Sequence, residues 1–403
     1  MKGWTTGRRS WRTSGLIFFC LVFSVALGGC ALRGAKDPYR WGQCEFDEVE
    51  IDTDFEGARA SACRMVADNS VDILIKPENE PINPSPWYAF RVTADSPRSI
   101  ALSLHYAQSQ HRYEPKLSYD GQRWSEITEE DFVVSEDGKV ATLRVDVGEQ
   151  PLWVAAQELW NNQRYEQWTR QLALARGNID RRRLGESLQG RSIWMLDSAP
   201  NADKAGTVVV LGRQHPPEVT GAYAMSAFVE YLLSDVPVAQ DFRKQYRLLV
   251  VPNLNPDGVA HGHWRHNGGG VDLNRDWGPF TQPETQLMRD LLQSIVAEDI
   301  NRLTLVLDFH STWHDLMYTQ RDDEITRPAN FTADWIASIR RRLPEYQLER
   351  DPENSGIPSA RTYAYSRYGV PSITYEVGDQ TDRNQINVIA REAAAAMIET
   401  LMR

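Results

Sequence analysis

From residue 207 to the C-terminus, short, mostly apolar runs alternate with longer stretches of helical period, and this pattern restricts the fold more than any other. The runs are 207–211 (TVVVL), 246–251, 303–309 (LTLVLDF) and 372–376. They read as strands buried on both faces. Helical spacing fills 219–234, 283–298, 330–343 and the region from about 384. Such alternation predicts an α/β fold, a mostly parallel mixed sheet flanked by helices. Residues 183–197 open this part with its first strands, and a polar, Arg-rich helix over 161–175 links it to what precedes.

Ligands of open α/β sheets collect at the C-terminal ends of strands. The first run leads into Gly212-Arg-Gln-His-Pro-Pro-Glu218, so His215 and Glu218 stand in a strand-to-helix turn where both can reach one ion. Zinc takes imidazole nitrogen and carboxylate oxygen, and a catalytic site uses three protein ligands with one position open. His310, at the end of the 303–309 run, is the third candidate. Taken alone, the HxxE pair also fits a surface turn with an incidental histidine.

Between the two histidines lie Asn253-Leu-Asn-Pro-Asp-Gly258 and Gly270-Val-Asp-Leu-Asn-Arg-Asp-Trp277. In this order, with Arg265 ahead of the second motif and Glu376 in the last strand, the chain resembles the zinc carboxypeptidase (funnelin) family. The resemblance runs from about residue 184 to the C-terminus. It implies one zinc ion on His215, Glu218 and His310, with Glu376 as general base. It also implies that Arg265 stabilises the oxyanion, that Asn274 and Arg275 clamp a substrate's free C-terminal carboxylate, and that Asp272 orients the first zinc histidine. A planar guanidinium suits carboxylate binding because it can donate two parallel hydrogen bonds. His261, His263 and His266 crowd the same loop and are read as rim residues; with His314 they are the reserve ligands should His310 not serve.

One departure stands out. The pancreatic type has a tyrosine twenty-two residues before the catalytic Glu, where this chain has Asn354; Tyr363 and Tyr365 are near but out of register. No residue receives that role. Fifteen residues before Glu376 stands Arg361, at the position that lines the base of the specificity pocket in the family. This resembles the glutamate-removing cytosolic carboxypeptidases, and a guanidinium there would favour an acidic side chain. A surface arginine on a 355–362 loop, or one paired with Asp379, is the competing reading.

Residues 45–165 differ in kind. Alternating apolar and polar positions at 71–76, 87–93, 99–106, 116–119, 140–147 and 152–156, separated by turn residues, predict a small antiparallel β-sandwich. It resembles, more loosely, the sandwich preceding the catalytic domain of cytosolic carboxypeptidases. His105 and His111 read as ordinary surface or loop histidines. The expected organisation is thus a signal peptide over 1–29, a tether over 30–44, the sandwich over 45–165 and a catalytic domain over 166–403.

The N-terminus carries basic residues up to Arg12, an apolar run over 16–27 and then Gly28-Gly29-Cys30. The run is short for a membrane span, and small residues before a cysteine resemble a bacterial lipobox. Cys30 would carry the lipid, and Ala31 after it implies outer-membrane sorting, facing the periplasm, in a Gram-negative cell; a plain signal peptide or an uncleaved anchor is the alternative. Cys20 leaves with the signal, so Cys44 and Cys63 remain, either bonded in an oxidising compartment or as two separate thiols. The net charge of -11 falls to about -15 once Lys2, Arg8, Arg9 and Arg12 are removed. So acidic a chain argues against nucleic acid as a partner. The expected activity is a metallocarboxypeptidase of the cell envelope. An amidase acting on peptidoglycan stem peptides and a lipid-anchored binding module with a vestigial site are the alternatives.

Overall fold

The computed structural model describes residues 40–176, 179–199, 204–297, 299–352 and 356–403, which belong to one compact unit. Cys30 with its lipobox-like surroundings, and Asn354, lie outside the described residues.

The sandwich comprises β1 (Val49–Asp52), β2 (Ala62–Ala67), β3 (Ser70–Ile75), β4 (Ala89–Ala94), β5 (Arg98–Tyr106), β6 (Lys116–Ser118), β7 (Ser125–Glu126), β8 (Phe132–Val134), β9 (Val140–Val147) and β10 (Leu152–Ala155). They form two five-stranded sheets, β1-β4-β10-β6-β7 and β2-β3-β5-β9-β8. The alternation works as expected: Ile100, Leu102, Leu104 and Tyr106 of β5 turn inward, as do Ala141, Leu143, Val145 and Val147 of β9. One pairing is not antiparallel. β3 and β5 run parallel, because the chain crosses through β4 in the opposite sheet between them. A disulfide joins Cys44 to Cys63 in β2. His105 and His111 are half-buried rather than on the surface; His105 pairs with Asp72 at 3.1 Å, and burial pushes the His111 imidazole down to about 4.

After helix α1 (Asn162–Arg176) come β11 (Asp180–Glu186), β12 (Ser192–Asp197), β13 (Gly206–Gly212), α2 (Val219–Leu232), α3 (Pro237–Gln245), β14 (Tyr246–Val251), α4 (Pro256–Ala260) and α5 (Pro283–Val296). β15 (Leu303–Thr312), β16 (Leu316–Tyr318), α6 (Phe331–Arg342), β17 (Glu349–Asp351), α7 (Ala360–Tyr368), β18 (Ser372–Gly378) and α8 (Arg383–Leu401) complete the chain. The sheet order is β11-β12-β14-β13-β15-β18-β16-β17, parallel from β14 through β18 and at β16-β17, antiparallel elsewhere.

Successive residues of β13 serve opposite faces. Val208 and Val210 pack in the core with Phe228, Trp335 and Ala390 of α2, α6 and α8, whereas Val209 and Leu211 pack with Met288, Leu292 and Ala364 of α5 and α7. A period of two thus divides the apolar run 208–211 between two cores, which is why that run carries no polar position.

Candidate active site

β13, β15 and β18 are adjacent and parallel, so the segments leaving their C-terminal ends meet. Arg213, just past β13, has a φ of 54°, a left-handed conformation that costs an L-residue about 1–2 kcal/mol. It is held there by its own side chain, which donates from Nε to the Pro216 carbonyl at 2.8 Å and from Nη1 to the Tyr165 hydroxyl at 3.2 Å. Beyond this bend, His215 and Glu218 face His310 at the end of β15.

Nδ1 of His215 and Nδ1 of His310 each lie 2.7 Å from a different oxygen of Glu218. The three residues are buried, and one donor atom from each falls within 4.8 Å of the others. Behind them, Nε2 of His215 meets Asp272 Oδ1 at 3.0 Å and Nε2 of His310 meets Asp308 Oδ2 at 2.7 Å. With a carboxylate accepting from Nε2, each imidazole, once neutral, would present its Nδ1 lone pair inward to a metal. Asp308 was not among the residues singled out in the sequence. Its place two residues before His310 in one strand puts both side chains on one side, and an acid inside an apolar run was the available signal.

This donor set fits zinc: two imidazole nitrogens and one carboxylate oxygen, with a position left for water or substrate. The charges fit as well. Burial alone would raise the Glu218 carboxyl, yet His215 and His310 hold it well below the usual carboxylate range. Asp272 is likewise held low against its burial, by His215 and Arg265. Carboxylates that stay ionised out of water around two imidazoles are the complement of a dication.

Glu376 is the strand neighbour of His310 in the β15-β18 register. Burial pushes its carboxyl up to about 7, with His310 acting against the shift and Glu218 with it. Its Oε2 is buried without a hydrogen-bond partner among the described residues, so the group is poised to exchange a proton near neutral pH.

A cleft of about 360 Å³ opens beside these groups, lined among others by Arg265, Asn274, Arg275, Tyr318 and Arg361. Arg265 donates from Nε to Asp272 Oδ2 at 2.6 Å, which leaves its terminal nitrogens towards the cleft. Asn274 accepts at Oδ1 from the Ala360 amide at 3.0 Å, and its Nδ2 lies 3.4 Å from His310 Nε2. Arg275 donates from Nη1 to the Asn274 carbonyl at 2.8 Å. Arg361 is not on a loop. It stands in the first turn of α7, whose N-cap Ser359 accepts from the Thr362 amide, and it is 7% exposed. It donates from Nη1 to the Thr319 carbonyl at 2.9 Å and lies 6.0 Å over the Tyr318 ring. The pairing with Asp379 is not made, since Asp379 binds Arg112 at 2.8 Å.

The remaining histidines stay outside the cluster. His261 contacts Gln189, His263 the His266 carbonyl, His266 Asn79, and His314 Glu349. Tyr363 packs against Phe280 and Tyr368, and neither it nor Tyr365 lines the cleft; Tyr318 does.

The sandwich also enters the site, which sequence reasoning missed. The buried Glu78 carboxylate accepts the backbone amides of Trp264, Arg265 and His266 at 2.7, 3.0 and 2.7 Å, and Asn79 donates to the Gly270 carbonyl at 3.0 Å. Asn83, Pro84, Ser85 and Arg112 line the cleft together with Arg361 and Tyr318. A glutamate just after β3, beside a Pro and an Asn, carries no local mark of this role.

A parallel sheet with a buried His-Glu-His donor set at its strand ends and a proton-exchanging carboxylate beside it defines a metallohydrolase. More narrowly, the chain belongs to the zinc carboxypeptidase family, whose profile matches residues 165–396. Cytosolic carboxypeptidase 2 of Danio rerio is 36% identical over 136 residues, 32% of this chain and 19% of that protein. The chain therefore spans well under two thirds of that relative. Two solved structures share the fold across both sandwich and catalytic part. The metallo-carboxypeptidase of Burkholderia cenocepacia superposes with a TM-score of 0.74 at 18% identity, covering 88% of this chain and 99% of its own. That of Pseudomonas aeruginosa, solved with (2-guanidinoethylmercapto)succinic acid, gives 0.71 at 20%, covering 88% and 99%.

Proposed function

We propose that this zinc carboxypeptidase family member removes one C-terminal residue, preferring glutamate or aspartate, from peptides of the bacterial cell envelope. The observation that carries the reading is the cleft's composition: a half-buried carboxylate in register with His310, its Oε2 without a partner among the described residues, ringed by Arg265, Arg275 and Arg361. His215, Glu218 and His310 would hold one zinc ion, which when bound supplies Lewis acidity towards water and the scissile carbonyl. Glu376 takes the proton of the attacking water and returns it to the leaving amine. Arg265, steadied at Nε by Asp272, offers its terminal nitrogens to the developing oxyanion. Arg275 and Asn274 receive the substrate's terminal carboxylate, and Arg361 its side chain. A guanidinium withdrawn from water gains most from an ionised partner, which supports the acidic preference.

Lipidation at Cys30 would tether the enzyme to the envelope, with the Cys44–Cys63 disulfide supporting an oxidising compartment. The test is a panel of peptides ending in Glu, Leu or Lys, assayed beside purified muropeptides with wild type and Arg361→Asp. Glutamate is expected to leave fastest and the preference to erode or invert in the variant. Equal rates on the three termini would remove the acidic preference, and turnover of muropeptides alone would favour the amidase.

A further inference from the structure

We propose that Arg112, a residue of the sandwich, selects substrates carrying an acidic residue immediately upstream of the scissile bond; this rests on the peptidase activity proposed above. Arg112 follows β5 and lines the catalytic cleft, with its side chain only 10% exposed. Nε donates to Asp379 Oδ2 at 2.8 Å, and Nη1 to Ser85 Oγ at 3.0 Å and the Pro84 carbonyl at 3.4 Å. These bonds fix the plane of the guanidinium. Nη2 has no hydrogen-bond partner among the described residues and is not sealed off. The guanidinium lies 4.8 Å over the ring of Trp313, which is 62% exposed at the lip of the cleft.

Sheet register places this group relative to the chemistry. Tyr318, beneath Arg361, pairs with Thr374, two residues before Glu376 in β18. Arg112 is bound to Asp379, three residues beyond Glu376, and the Asp379 amide bonds the Thr312 carbonyl at 2.8 Å, past His310 in β15. At the usual rise, five residues separate the two levels by roughly 16 Å, with Glu376 between them. A peptide whose terminal side chain reaches Arg361 therefore runs outward past Glu376 towards Arg112 and Trp313. The upstream side chain meets the free Nη2 of a fixed, part-desolvated guanidinium on an aromatic face, a setting for a carboxylate.

The experiment uses two peptide series on the zinc-loaded protein. One keeps the terminal residue and places Glu, Gln or Lys upstream; the other keeps the upstream residue and varies the terminus. For wild type, upstream Glu is expected to exceed Gln in kcat/KM by roughly tenfold, the worth of one charge-assisted hydrogen bond. In Arg112→Gln the ratio should fall towards unity, while Arg361→Ala should change only the terminal series. Should Arg112→Gln fail to fold around an orphaned Asp379, the double variant with Asp379→Asn removes both charges and carries the same expectation. If no peptide is turned over, the same Glu/Gln ratio is read as Kd on zinc-loaded Glu376→Gln. Equal values for upstream Glu and Gln in wild type, or an undiminished ratio without Arg112, would overturn the proposal. Loss of the terminal preference with the upstream ratio intact would remove the reading of Arg361 and leave that of Arg112.

Discussion

Glu376 and Asp308 show how position alone sets what a carboxylate does. Each keeps one buried oxygen without a partner among the described residues, yet Asp308 commits its other oxygen to His310 and Gln214, while Glu376 lines the cleft. Glu376→Gln preserves shape and removes the proposed base; zinc content should be retained while kcat falls by about 10²–10⁴-fold. The carboxyl is pushed up to about 7 without metal, and a neighbouring dication pulls it down. Activity needs the ionised form, so it is full above this pKa and lost as pH falls through it. The acid limb of kcat/KM is therefore expected at or below about pH 7, and a limb well above that would show that another group is titrating. Asp308→Asn should act differently. It leaves the base intact but weakens the orientation of His310, so zinc affinity, measured by competition with a chelator, should drop about 10–100-fold.

The elements that carry these residues are held by close contacts as much as by hydrophobic burial. Helix α2 approaches β15 through Gly221, where an added Cβ would stand 2.5 Å from the His310 carbonyl oxygen and 2.8 Å from its carbon. Thr220 and the Gly221 amide meet the Ser311 hydroxyl, each at 2.8 Å. Both partners in this approach are backbone and cannot rotate away. Gly221→Ala is thus expected to cost about 1–3 kcal/mol and to loosen His310. Urea unfolding and zinc content would check it, and an unchanged midpoint with full zinc would contradict the contact. The long elements were legible because their apolar spacing is periodic. Helices α3 and α7 were not, since α3 buries only Ala239 and Phe242 and α7 is rich in Tyr and Arg. Strands β16 and β17, of three residues each, are too short for a period to register.

Across the whole molecule, the sandwich is part of the active site rather than an appendage. Its Glu78 gathers three amides of the loop that carries Arg265. Glu78→Ala leaves those donors without their acceptor, so Arg265, proposed to meet the oxyanion, should lose its placement. Transition-state stabilisation suffers more than ground-state binding, and kcat is expected to fall by about tenfold or more with KM little changed. A rise in KM alone would point to the substrate side of the cleft instead, and Glu78→Gln, which keeps one acceptor, should recover part of the rate. The apolar runs by themselves determined a sheet buried on both faces, because strand periodicity is a property of neighbouring residues, and the order of short motifs marked His215, Glu218, His310 and Glu376 through the resemblance to the zinc carboxypeptidase family. Tertiary structure alone decided that Glu78 gathers the loop of Arg265, that Arg112 lines the cleft, that Asp379 pairs with Arg112 and not Arg361, and that Arg361 lies buried in a helix. Those partnerships join residues as much as 267 positions apart. They follow from how two apolar surfaces pack and which polar groups are thereby cut off from water, which no local pattern encodes.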